Sequence, residues 1–451
     1  VVCGSSAFAR EEVSREFRHN ASLGAGRGLR IEHRSGNVAI RGHAGNEAII
    51  RATIRCSADT LERARRCADQ VRVEVRETDA GLVVRTEYPD RGHEILPWRN
   101  LSMSADYDID VPETAPLEVR NRFGGVRVSN ARAGSIIDNS NGRVVFYDGR
   151  GTQRIENSFG PVEVARNDGD VTVENGNGQV TISDVTGILD VRGSFGPVKV
   201  SRAGRDVTVR NQNGAVEVWS AGGLVRVTNS FGEVTIADAK SDATVRNQNG
   251  TIEVKNVSGI ANLATSFGRV RFSGIGKQVT VRAQNSAVTG EDAGGAIVET
   301  TFAEVDLRRI EGGVKVLNQN GSVTLRGVKG ETFAETSFAG ITVEDAGGPM
   351  TVANANGPVT LSAGVSKGCQ PVSARTSFGA IRVAIPAGSA YDVSARTSFG
   401  EIKSEYEFSV TGAMSKDSLS GRIGAGGCRM ELINQNGSVE ILKDLRRRGN
   451  A

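Results

Sequence analysis

Apolar and polar residues alternate along most of the chain. Ala215-Val216-Glu217-Val218 and Asp206-Val207-Thr208-Val209-Arg210-Asn211 have the period of two that belongs to a half-buried strand. Turn-formers such as Ser220-Ala221-Gly222-Gly223 separate these short runs. The runs recur at a fixed interval. Phe123, Phe159, Phe195, Phe231, Phe267, Phe302 and Phe338 are 36, 36, 36, 36, 35 and 36 residues apart, most of them beside a glycine. Gly142, Gly178, Gly214, Gly250, Ser286, Gly321 and Gly357 close a second motif, N-x-N-G in most copies, with the same intervals. The two series interleave: Gly214 to Gly232 is 18 residues, and Gly232 to Gly250 is 18. The unit is therefore a coil of about 18 residues whose closing turn alternates between S-F-G and N-Q-N-G.

Each coil reads as strand, turn, strand, turn. One such coil cannot shelter its inward valines from water. Stacking coils in register pairs the backbone groups of neighbours and piles the valines into one column. This predicts an all-β fold, a parallel β-solenoid, right-handed because crossovers between parallel strands favour that hand. A left-handed hexapeptide helix needs an aliphatic residue at every sixth position, and counting from Val216 meets Gly222 and Thr228. About sixteen coils fit between Gly124 and Gly437. Asn211, Asn229, Asn247 and Asn318 sit just before the turns, where their amides can cap backbone groups and stack as a ladder. The parity of Val225, Val227 and Asn229 points Phe231 inward, with an outward aromatic stripe as the alternative.

The regular array is expected over residues 117–445, with longer coils after 357 and a basic tail at 446–451. Residues 10–116 break the period and read as a capping segment. Its strands are expected at Leu29 to Arg34, Asn37 to Arg41, Ala48 to Arg55, Val71 to Arg76, Leu82 to Thr86 and Tyr107 to Val111. A short helix is expected over residues 58–70, with Leu61, Ala64 and Ala68 on one face. Near the end, Lys443 to Arg448 reads as a charged stretch that deters strand pairing.

Residues 1–9 end in small residues at Ala7 and Ala9, the spacing of a signal-peptidase site, and read as the remnant of an export signal. Leaving Cys3 aside, four cysteines remain. Cys56 and Cys67 flank the helix and are a candidate disulfide; two buried thiols are the equal alternative. Cys369 and Cys428 appear two coils apart, about 9.6 Å if stacked directly, beyond the reach of a bridge unless a loop folds over.

With 38% hydrophobic and 5% aromatic residues and 56 glycines among 451, the chain can fill only a narrow core, which suits coils better than thick globules. The 55 Lys and Arg nearly cancel the 52 Asp and Glu, which argues against a nucleic-acid binder. No run approaches the ~18 apolar residues of a membrane-spanning helix.

Gly364-Val365-Ser366-Lys367-Gly368 satisfies G-x-S-x-G, but a nucleophile elbow needs a following helix and a later histidine. His19, His33, His43 and His93 all precede it. The carboxylates are scattered without a recurring cluster, and Asn167-Asp168-Gly169-Asp170 reads as an ordinary turn. No C-x-x-C or Cys/His cluster is present, so neither metal nor cofactor is expected. Two surface features remain. Arg210, Arg246 and Arg282 recur outward at 36-residue spacing and could meet an anionic glycan or phosphate, although an ordinary solvated face is the favoured reading. Trp219, outward by parity, is a candidate to stack on a sugar or to pack over a corner.

Ser35-Gly36-Asn37-Val38-Ala39-Ile40, Ile109-Asp110-Val111-Pro112 and the S-F-G and N-x-N-G turns resemble the bacterial β-strand-repeat family labelled putative adhesins, a domain of unknown function. So do Ile381-Arg382-Val383-Ala384-Ile385-Pro386, Thr397-Ser398-Phe399-Gly400-Glu401-Ile402 and Asn436-Gly437-Ser438-Val439, so the resemblance spans nearly the whole chain. It implies an exported or envelope-associated β-solenoid with no catalytic residues to carry over. The function expected is non-enzymatic: an adhesin or envelope interaction surface that is periplasmic, cell-surface or extracellular. Its partners would be a glycan or an envelope or cell-surface protein, with self-association possible in principle. A scaffold or sensor element of the envelope is the alternative, and a glycan-active enzyme a more distant one.

Overall fold

The computed structural model describes residues 10–89, 101–364 and 369–444. The export-signal reading at 1–9, His93, residues 365–368 of the G-x-S-x-G motif and the basic tail fall outside them. The chain divides into two compact units, Val1–Glu217 and Val218–Ala451. Both are parallel β-solenoid with coils of about 18 residues, and among the described residues a single short helix lies in the first.

In the first unit every coil gives one strand to each of two facing sheets. Leu117–Phe123, Ser135–Asn141, Gln153–Phe159, Val171–Asn177, Leu189–Phe195 and Val207–Asn213 pair in parallel and in register, with Val119, Ile137, Ile155, Val173, Val191 and Val209 in one column. Those six residues are fully buried. Two inward aliphatics per strand supply the core, so a chain poor in aromatics suffices.

The start of this unit departs from chain order. Its elements are β1 (Glu11–Ser22), β2 (Gly28–Ser35), β3 (Val38–His43), β4 (Glu47–Ala58), α1 (Leu61–Gln70), β5 (Arg72–Thr78), β6 (Gly81–Glu87), β7 (Ser102–Pro112), β8 (Leu117–Phe123) and β9 (Val126–Ser129). The coil made by β2 and β3 lies between the β8–β9 coil and the later β6–β7 coil. Antiparallel pairing then takes over, β6 with β5 and β7 with β4, while β1 joins β4. Sequence reasoning missed β1, whose polar run Glu11-Glu12-Val13-Ser14-Arg15-Glu16 hides its alternation.

The helix is shorter than expected. Ala58 closes β4 opposite Glu11, and Thr60 caps α1 by accepting from the Arg63 N–H. Its buried face is Ala64, Cys67 and Ala68, whereas Leu61 is exposed. Cys56 at the end of β4 is bonded to Cys67, with Cα atoms 6.0 Å apart.

The second unit repeats the coil, with one of 17 residues where Gln278 to Arg282 pairs with Gly295 to Glu299. Its end also departs from chain order. Arg429–Asn436 pairs in parallel with Val372–Phe378 on one side and Tyr391–Arg396 on the other. Val439–Asp444 likewise lies between Ile381–Pro386 and Ile402–Ser404. The last coil in the chain is thus inserted one place inward, and antiparallel strands Ser418–Ile423 and Ser409–Met414 continue beyond Tyr391–Arg396. This corrects the expected distance between Cys369 and Cys428. The two precede adjacent strands, their Cα atoms are 5.2 Å apart, and they are bonded. Lys443 and Asp444 therefore close a strand paired with Ile385 and Pro386, not a free end.

Candidate interaction surface

The first corner of each coil sorts side chains by chemistry. In the second unit Val225, Val227 and Asn229 point inward and are buried. The Asn229 amide donates to the Phe231 carbonyl at 3.1 Å, and Asn247 donates to the Gly232 carbonyl at 2.8 Å. The amides thus satisfy carbonyls that the turning chain leaves off the ladder. Three residues after the asparagine, most coils have a residue in left-handed backbone. At Gly250, with φ of 140°, an added Cβ would stand 2.1 Å from the Gly232 carbonyl oxygen of the preceding coil, so the position takes glycine.

That turn overturns the inward placement of Phe231. Parity holds only while the backbone stays extended, and after Asn229 the chain turns through Gly232 at φ of 116°. The ring is thrown outward and is 52% exposed. Phe123, Phe159 and Phe195 in the first unit and Phe267, Phe302, Phe338 and Phe378 in the second are similarly exposed. Asparagine holds the same register position in the coils between them, as in Phe231↔Asn249↔Phe267↔Asn285. The inserted last coil keeps this alternation. Phe378 pairs with Asn436, and Phe399 lies on the far side, its N–H donating to the Gln435 carbonyl. In space the order is Phe378, Asn436, Phe399, although the chain runs Phe378, Phe399, Asn436.

On the outward face of the strands that carry these rings, the second unit has a groove of ≈ 920 Å³. Its floor bears Ser230, Gln248, Ser266, Gln284, Thr301, Gln319 and Ser337, one from each successive coil, hydroxyl alternating with amide. Each hydroxyl residue directly precedes a ring residue and each amide precedes an asparagine. Arg246, Arg282, Glu299 and Glu335 stand two residues earlier in their coils and also line it. Sequence reasoning passed over the serines and glutamines. Their signal was present, because they share the 18-residue register of the phenylalanines.

Of the arginines singled out by spacing, Arg246 and Arg282 come together in this groove. Arg282 Nε lies 3.3 Å from Glu299 Oε2, and Arg246 has no ion pair among the described residues. Arg210 belongs to the first unit and pairs with Asp190 at 3.0 Å. Trp219 is outward and 45% exposed, away from the groove lining. Cys56 and Cys67 form a bond beside α1 and contribute nothing to this surface.

The opposite corner carries charge. Asp148, Arg166, Asp184 and Arg202 recur at 18 residues with φ between 53° and 57°. Arg166 pairs with Asp148 at 3.0 Å and Arg202 with Asp184 at 2.7 Å; in the second unit Arg309 pairs with Asp292 at 2.8 Å. These guanidinium hydrogen bonds hold the three carboxyls below their usual range.

A buried polar cluster lies at the start of the first unit. His33 extends the column of Asn121, Asn139 and Asn157, and its Nδ1 is 3.0 Å from Thr86 Oγ1, which in turn is 2.5 Å from the Tyr107 hydroxyl. Burial lowers the imidazole to about 4, against the raising effect of Asp106. Nothing in the sequence marked His33 as different from the other histidines except its place in the inward register. Among the described residues no cluster of His, Cys, Asp or Glu is placed to hold a metal ion, and no helix is long and apolar enough to cross a membrane.

The family described as Toastrack DUF4097 matches residues 29–442. Among solved structures, one described as a putative cell adhesion protein from Clostridium sporogenes is 7% identical. It covers 96% of this chain and 100% of its own, with a TM-score of 0.16 that carries no argument. No curated protein matches.

Proposed function

Because the chain belongs to the Toastrack DUF4097 family, a domain of unknown function, we propose from its surface that it is a non-enzymatic interaction protein of the cell exterior or envelope, an adhesin-type display surface. One observation carries the reading: half-exposed phenylalanines repeat outward on every second coil, and the alternation persists where the last coil is inserted out of chain order. Exposed rings add nothing to the core, and a repeated apolar stripe rimmed by polar residues is the mark of a contact surface.

Placement outside the cytoplasm is supported by the two disulfides among the described residues, a bond that forms and persists chiefly in oxidising compartments. The test is co-sedimentation of the full chain with native envelope fragments and intact cells. The reading expects retention that weakens when Phe267 and Phe302 are both replaced by alanine. Failure to sediment with either material refutes it.

A further inference from the structure

We propose that the groove of the second unit binds a neutral, extended, β-1,4-linked polysaccharide, with one disaccharide for every two coils. The proposal rests on the display-surface reading and names its ligand. Three observations lead to it.

The first is the period. Ring, hydroxyl and amide each recur after two coils, about 9.6 Å. In an extended β-1,4-linked chain each sugar is turned over relative to the last, so the same face returns once per disaccharide, a length close to two coils. An extended peptide returns the same face every two residues, about 6.8 Å, and falls out of step. A peptide would also dock by strand addition, which needs a free backbone edge. Here the backbone groups of the strands are already engaged coil to coil.

The second is the chemistry. Gln248, Gln284 and Gln319 each offer a donor pair and an acceptor to sugar hydroxyls, with a smaller hydroxyl residue between successive amides. Phe267 and Phe302 directly follow two of those hydroxyl residues, outside the groove lining itself, and expose about half their surface, so a chain lying in the groove meets them only where a sugar's apolar face reaches past the hydroxyls to the turn.

The third is charge. Arg246 and Arg282 are balanced by Glu299 and Glu335, and Arg282 is already paired with Glu299. A polyanion would meet two carboxylates for its two arginines, so a neutral chain fits better.

The test is calorimetric titration of the full chain with cello-oligosaccharides and with β-1,4-linked N-acetylglucosamine oligomers of increasing length. Affinity is expected to climb with length as successive disaccharides engage further coil pairs. Phe267→Ala and Gln284→Ala should each weaken it about two- to tenfold. Thr235→Ala, on the other sheet, should leave it unchanged. Circular dichroism of each variant checks that the coils still form. Absence of binding at every length, parental affinity in both the Phe267 and the Gln284 variants, or stronger binding of a sulfated glycan than of the neutral oligomers would overturn the assignment. If the oligomers fail while envelope fragments still retain the chain, the ligand is wrong and the display surface stands. If both fail, the two readings fall together.

Discussion

Removing the Cys369–Cys428 bond should free the inserted coil before the rest of its unit. The bond joins two cysteines 59 residues apart in sequence that lead into Val372–Phe378 and Arg429–Asn436, two strands adjacent in space. Closing a loop of that length removes about 4 kcal/mol of chain entropy from the open state. Without it, opening of the coil made by Arg429–Asn436 and Val439–Asp444 releases the whole excursion between the cysteines. The paired substitution Cys369→Ser with Cys428→Ser avoids a stray thiol. Native-state hydrogen exchange is the assay, comparing Leu432 and Ile441 in the inserted coil with Val254 and Val316 elsewhere in the unit. At 1.4 kcal/mol per decade, protection at Leu432 and Ile441 should fall by up to about a thousandfold. Val254 and Val316 should hold. Unchanged protection at Leu432, or an equal fall at Val254, would refute the idea that the bond secures a separately opening coil.

Three further outcomes follow from single positions. Because burial lowers His33 in the folded chain to about 4 from 6.5, the unfolded chain binds more protons between those values. The stability this neutral histidine permits is complete above about pH 6.5 and is lost as pH falls to about 4, reaching roughly 3 kcal/mol; His33→Gln should flatten that part of the urea-midpoint profile, and superimposable profiles would count against it. Ala303 has φ of 121° at a corner where most coils have glycine, so Ala303→Gly should stabilise by about 1 kcal/mol and raise Tm, whereas a lowered Tm would show that the corner carries no strain. A Cβ on Gly290 would stand 2.0 Å from the buried Phe272 ring, so Gly290→Ala should destabilise by about 1–3 kcal/mol and be relieved by adding Phe272→Leu; an unperturbed denaturant midpoint for Gly290→Ala would refute the clash.

The coil itself was legible because its causes are local. Alternation fixes which valines face inward, and an 18-residue interval fixes the stacking, so the parallel solenoid and the buried asparagines could be read from intervals alone. Phe231 was misread for an equally local reason: parity was carried through a residue beyond which the backbone stops being extended. The order of the terminal coils was not legible. Val372–Phe378 has the same alternation whether its neighbour is Tyr391–Arg396 or Arg429–Asn436, and pairing is chosen by loop reach and by the partner's corner chemistry. One signal did exist. Phe378 and Phe399 are successive S-F-G coils with no N-x-N-G coil between them in sequence, a break in an otherwise strict alternation that the late Asn434-Gln435-Asn436-Gly437 repairs in space.

That repair has a physical reason. Rings on consecutive coils would stand about 4.8 Å apart, the spacing at which identical side chains on stacked strands build dry zippers. A continuous column of exposed phenylalanines would also merge into one apolar patch large enough to drive aggregation. An asparagine between rings interrupts the patch and caps backbone, as Asn436 does by donating to the Ser377 carbonyl at 3.3 Å. Every second coil therefore keeps a ring accessible without letting two rings touch. Placing Phe399 directly beside Phe378 would have broken that rule, whereas inserting the asparagine coil between them keeps it. The same two-coil period then fixes the distance over which any partner must repeat to meet more than one ring at once, so the spacing that keeps the rings apart is also the spacing such a partner has to match.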